Sequence, residues 1–170
     1  AINAGLVGSE MCIRDRRYIT DAEWAEAYPL ASDAIQIAMD LADITGLRRG
    51  NILKLKRSDW TEEGLIVELI KQRQNAATKR ILFTRSPELE AVIHRALNLH
   101  PVSSIYILCR KNGQPYSESG FSSIWHTYMT KVVNAGIERF TFHDLRGRSA
   151  SDAESDQEAA RRLGNSVQVV

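Results

Sequence analysis

Between Ser32 and Trp60 the chain joins an almost wholly apolar helix directly to a run of basic residues. Ile35, Ala38, Met39 and Ala42 fall on one stripe, and Ile37, Leu41 and Ile44 widen it, so the spacing predicts a helix buried on most sides. Thr45-Gly46 breaks it. Arg48, Arg49, Lys54, Lys56 and Arg57 follow with no acid among them, while Ile52, Leu53 and Leu55 keep an apolar side. A core helix with a basic element attached limits the fold to one in which those cations stand at fixed positions. A solvated helix face is one reading of such a run. A phosphate site, which needs arginines held in place, is the other.

A chain of 170 residues, 44% hydrophobic and 25% charged, has the composition of one globular domain. The net charge of +1 conceals a segregation. Asp21, Glu23, Glu26, Asp33, Asp40 and Asp43 lie in a stretch without Lys or Arg, whereas Lys71, Arg73, Lys79, Arg80 and Arg85 lie in one without acids. A basic face on a nearly neutral protein is therefore available, and it is compatible with nucleic acid. Cys12 and Cys109 form neither a CxxC nor a Cys/His cluster, so neither a disulfide framework nor a zinc site is expected. A reducing, cytoplasmic setting is expected instead. No run approaches the length of a membrane span, and residues 1–16 lack the apolar core of a signal peptide. Those sixteen fit nothing that follows and are expected to be non-native or disordered, leaving 17–170 as the domain.

Thr20 with Glu23 reads as a capping box, and Ile19 with Trp24 has the spacing of a hydrophobic staple, so a helix is expected there, closed by Pro29. After the buried helix a short one is expected over 48–55. Residues 65–70 and 80–84 are short and β-branched and read as a hairpin with a long polar connection. Ser86-Pro87 opens a helix ending near Asn98, and 104–108 is a third strand candidate. A long amphipathic helix follows over 120–135, stopped by Gly136. Another runs from His143 to about residue 153, and Ser155 with Glu158 caps a last one over 157–163. The fold class is α+β, mainly α-helical with a small three-stranded antiparallel sheet.

Metal-free transfer of a phosphodiester requires several positive groups around one phosphate. Arg48 and Arg146 could each grip non-bridging oxygens in a bidentate fork. His143, three residues before Arg146, could address the same phosphate from one helix face. Alone, His-x-x-Arg also fits a surface pair or a capped helix start.

The motifs taken together resemble the tyrosine recombinase (phage integrase) family. They are Thr45-Gly46-Leu47-Arg48, Ser58-Asp59-Trp60, a hairpin carrying lysine, His143-Asp144-Leu145-Arg146-Gly147-Arg148, and Leu163-Gly164-Asn165-Ser166. The resemblance covers about residues 17–170 and implies the family's catalytic-domain fold. It implies site-specific DNA recombination or integration, by attack of a tyrosine on a backbone phosphate to give a 3′-phosphotyrosyl intermediate, without metal or nucleotide cofactor. It makes Arg48 and Arg146 the phosphate-binding arginines and His143 the acid/base histidine. Lys71, preferred over Lys79, becomes the acid for the leaving 5′-oxygen. Asn165 takes a position usually held by His or Trp, where it can donate a hydrogen bond but carries no charge. Arg49, Lys54, Arg57, Arg73, Lys79 and Arg148 are expected to contact DNA. The implied partners are double-stranded DNA and, for a full-length protein, three further copies in a tetramer on paired sites, with no membrane.

The nucleophilic tyrosine would follow Ser166 a little later, yet Tyr18, Tyr28, Tyr106, Tyr116 and Tyr128 all precede His143. The chain is accordingly expected to be truncated short of its nucleophile and inactive in strand cleavage by itself. The rival reading is a non-catalytic DNA-binding module using the same basic face. A basic interaction domain with no DNA role is the third.

Overall fold

The structure, a computed structural model, describes residues 17–69 and 78–151. Helix α1 (Asp21–Ala27) begins at the expected capping box: Glu23 N–H donates to Thr20 Oγ1, and the Glu23 carboxylate accepts from Thr20 N at 2.9 Å. Trp24 packs on Tyr28 with ring centroids 5.7 Å apart, and a 3-10 turn (Tyr28–Leu30) ends the segment at Pro29. Helix α2 (Asp33–Thr45) is the buried helix: Ile35, Ile37, Met39 and Leu41 are essentially inaccessible. It stops where Gly46 adopts φ 67°, a left-handed conformation that glycine enters without Cβ strain. The Gly46 N–H donates to Ala42 O at 2.8 Å, closing the last turn.

Next comes α3 (Arg49–Ile52), a single turn rather than the two turns expected, then a 3-10 turn (Arg57–Asp59). Strands β1 (Gly64–Leu69) and β2 (Lys79–Thr84) pair antiparallel, with Gly64 opposite Thr84 and Leu69 opposite Lys79. Helix α4 (Pro87–Leu97) starts at Ser86, whose hydroxyl accepts from Leu89 N. Helix α5 (Glu118–Asn134) starts at Ser117 in the same way, with Gly120 N as donor. Helix α6 spans Asp144–Ser151. α2 packs against both α4 and α6, which makes it the axis of the core.

The three-stranded sheet is not formed: among the described residues the sheet has two strands. The segment around Ile105 turns instead to the irregular chain after α3, where Ile107 N donates to Leu55 O at 2.9 Å and Arg57 N to Ile105 O at 2.8 Å. Lys56 and Tyr106 thus form one isolated bridge. The 3-10 turn begins at Arg57, so no extended neighbour remains for a ladder to grow along.

Two features fix the region around α6. Rings of α5 and of the chain before α6 form one cluster: Phe142 meets Trp125 at 5.2 Å and Phe121 at 5.6 Å, and Phe140 meets Trp125 at 5.9 Å, all edge-on, as ring quadrupoles prefer. The second is polar. Asp144 Oδ2 accepts from Thr141 N at 2.7 Å and Thr141 Oγ1 at 2.9 Å, while Oδ1 accepts from Arg17 N at 3.2 Å. The start of α6 is thereby capped and tied to the beginning of the described chain.

Candidate functional site

Where α2 ends, the Thr45 hydroxyl accepts from Leu47 N at 3.2 Å, and buried Leu47 seats the turn in the core. Arg48 follows as the extended N-cap of α3, φ −68° and ψ 147°, with its side chain exposed. One turn of helix is too short for a useful macrodipole, so the anion-attracting charge here is that of the side chains. Arg49 Nη1 donates to Ser122 Oγ at 2.9 Å, fastening α3 to α5.

The opposite wall comes from residues 139–143, which turn into α6. Phe140 and Phe142 are buried while Arg139, Thr141 and His143 are exposed. Arg146 sits on the first turn of α6, half-buried, and its Nε donates to the Gly46 carbonyl at 2.7 Å. Burial, and then the like charge of Arg48, lower the Arg146 pKa from its ordinary value.

Arg48, Arg49, Arg139, His143 and Arg146 line one cleft of about 510 Å³, floored by Trp125, Phe140 and Phe142. Gly50, Asn51 and Glu118 complete the part of its wall that α3 and α5 supply. Nearly a hundred residues separate Arg48 from His143, and the fold brings them together. Two guanidiniums and an imidazole around one hollow can hold a phosphate by charge-assisted hydrogen bonds.

Not every expected residue is there. Lys54 is exposed beside a second hollow of about 470 Å³, shared with Lys56, Asp59, Glu68 and Thr78. Asn51 lines both hollows. Arg57 points elsewhere, its Nη2 donating to Leu97 O at 3.4 Å. Lys79 is exposed at the start of β2 and does not line the cleft. Lys71, Arg73 and Asn165, like the caps and helix expected after residue 154, lie outside the described residues.

Arg148 requires a correction. Rather than facing DNA, it is about nine-tenths buried, with Nη1 2.7 Å from Asp21 Oδ1 and Nε 3.2 Å from Asp43 Oδ1. It also donates to Ile19 O at 3.3 Å and lies 4.9 Å over the Trp24 ring. Side chains two apart on a helix diverge by about 200°, so Arg146 toward the cleft sends Arg148 into the body of the domain.

The sequence reading missed Arg139, Asn51 and Glu118. A signal existed for Arg139: Phe140 and Phe142 alternate with it, and period two places it on the side of His143. None of the five tyrosines lines the cleft. Tyr128 is buried, its hydroxyl donating to Ala27 O at 3.1 Å, and Tyr28 donates to Asp40 Oδ2 at 2.6 Å.

The Phage integrase family model matches residues 23–159. The integrase of Escherichia phage HK022 is 29% identical over 161 residues, which are 88% of this chain and 44% of that protein. The solved lambda integrase catalytic core superimposes with a TM-score of 0.70 at 23% identity, covering 88% of this chain and 91% of that one. A lambda integrase tetramer bound to a Holliday junction gives the same score, covering 89% and 47%. The chain thus spans less than half the length of the curated integrase it matches.

Proposed function

The chain belongs to the phage integrase family, and on that premise we propose that its arginine cleft receives a backbone phosphate of double-stranded DNA during site-specific recombination. The observation that carries this reading is the meeting of Arg48, His143 and Arg146 in one cleft. Burial and the charge of Arg48 disfavour the Arg146 cation, and an anion between the two guanidiniums relieves that cost. Arg48 and Arg146 hold the two non-bridging oxygens, and their charge grows in worth as the transferring phosphoryl gains charge. In the cleavage step a tyrosine oxygen bonds to phosphorus as the P–O5′ bond breaks. His143 assists the loss of the phenolic proton. A lysine, Lys71 before Lys79, returns a proton to the leaving 5′-oxygen, and Asn165 adds a neutral hydrogen bond to the phosphate.

On this reading the attacking tyrosine is none of the five in this chain, none of which lines the cleft. For this polypeptide by itself the same fact supports the non-catalytic reading, phosphate binding without bond breakage. A full-length protein would act as a tetramer on paired DNA sites, as the lambda integrase tetramer on its junction exemplifies.

Titration of labelled duplex at increasing salt tests the reading. Log K should fall linearly with log salt, by about 0.9 per phosphate contact, and Arg48→Ala and Arg146→Ala should each weaken binding. Affinity indifferent to salt, or to both substitutions, excludes a phosphate cleft. With a nicked suicide duplex the chain should yield no covalent band on a denaturing gel. A band lost in Tyr128→Phe would relocate the nucleophile.

A further inference from the structure

One residue of the cleft has the wrong charge for its surroundings. Glu118, on the first turn of α5, lines the same hollow as Arg48, Arg49, Arg139 and Arg146. Its carboxylate is closely set against α3: a Cβ added to Gly50 would lie 2.7 Å from Oε1. Yet among the described residues it makes neither an ion pair nor a hydrogen bond. Helix capping does not account for it, because the Ser117 hydroxyl already receives the Gly120 N–H at 3.0 Å.

We propose that Glu118 is a specificity-determining residue of the cleft, one that repels phosphate held by Arg49 or Arg139 alone and so confines stable occupancy to the Arg48–Arg146 pair. This rests on the phosphate-binding reading above. A phosphate centred between Arg48 and Arg146 gains two forked cations, enough to outweigh one repulsive carboxylate. A phosphate engaged by Arg49 or Arg139 alone sets a single cation against it and gains little. The carboxylate therefore costs loosely docked backbone more than correctly seated backbone, which is how a repulsive group creates selectivity. Its reach is short, because salt screens charges beyond about 8–10 Å.

The experiment compares wild type, Glu118→Gln and Glu118→Asp, each alone and with Arg48→Ala, in anisotropy titrations with a short duplex of arbitrary sequence. Glu118→Gln keeps the shape of an exposed side chain, and unchanged thermal melting would confirm an intact fold. It should tighten binding roughly three- to tenfold near 50 mM salt, with the gain fading by about 300 mM. Glu118→Asp, whose shorter carboxylate draws back from Gly50, should fall between. The loss caused by Arg48→Ala should be smaller in the Glu118→Gln background, since binding by Arg49 or Arg139 is then open. Equal or weaker binding by Glu118→Gln, or equal Arg48→Ala losses in both backgrounds, overturns the inference while leaving the phosphate cleft intact. Wild-type binding that ignores salt removes the cleft's function and this inference with it.

Discussion

Arg146 Nε donates to the carbonyl oxygen of Gly46 at 2.7 Å, across one hundred residues of sequence. The acceptor is a backbone atom at the end of α2, two residues before Arg48, so both arginines are referenced to one turn of chain. Arg146→Lys keeps the charge but loses the planar fork that reaches the carbonyl and a phosphate oxygen together. We expect weaker duplex binding with an unchanged salt slope, and a stability loss of about 1 kcal/mol. Salt titration and urea unfolding measure the two effects separately.

Arg148→Ala should behave in the opposite manner. Removing it takes a cation from partly buried Asp43 and uncovers the Trp24 ring. Unfolding should become easier by about 2 kcal/mol or more, read from urea midpoints. Below that midpoint, duplex affinity and its salt slope should match wild type.

Tyr128 is kept protonated by burial, which pushes its pKa above the ordinary tyrosine value. Its phenolate should therefore be absent from the ultraviolet titration until the fold opens in alkali. Tyr128→Phe should cost about 1 kcal/mol through the Ala27 hydrogen bond and leave duplex binding unaltered.

The backbone N–H of Thr20 lowers the Glu23 pKa, with Arg17 assisting. A carboxyl whose folded pKa lies below its unfolded value stabilises the fold above the unfolded pKa, and that contribution disappears as pH falls through the folded one. Glu23→Gln should thus flatten the loss of stability below about pH 4.5, measured as melting temperature against pH. An identical acid limb in wild type and variant would contradict the assignment.

Gly50 and Gly64 should respond differently to alanine. At Gly50 the new Cβ meets only the mobile end of Glu118, and alanine favours the helix, so stability should stay within about 1 kcal/mol of wild type. At Gly64, φ is 144° and the Cβ would lie 2.0 Å from the Phe83 carbonyl oxygen. Gly64→Ala should destabilise by more than about 2 kcal/mol, read by thermal unfolding.

What the sequence disclosed was what short-range physics decides. The Thr20/Glu23 box, the stop at Gly46 and the two strands of the hairpin are set by local sequence, and each stands as expected. The third strand failed because the apolar run 104–108 reports that Ile107 and Leu108 are buried, not which segment borders them, and it leaves Ile105 exposed. Arg148 was misread because charge was counted without its angle around the helix. Glu118 gave no signal, since an acid opening a helix is ordinary. Its setting among arginines exists only once α3, α5 and residues 139–143 are folded together.

The ties between the start of the described chain and α6 carry a mechanical meaning. Arg17 N is bonded to Asp144, and Ile19 O to Arg148, so the polypeptide arriving at residue 17 is moored to the helix that bears Arg146. A pull on that segment would bear on the helix that carries Arg146. The cleft's geometry would then depend on how residues 17–19 are held.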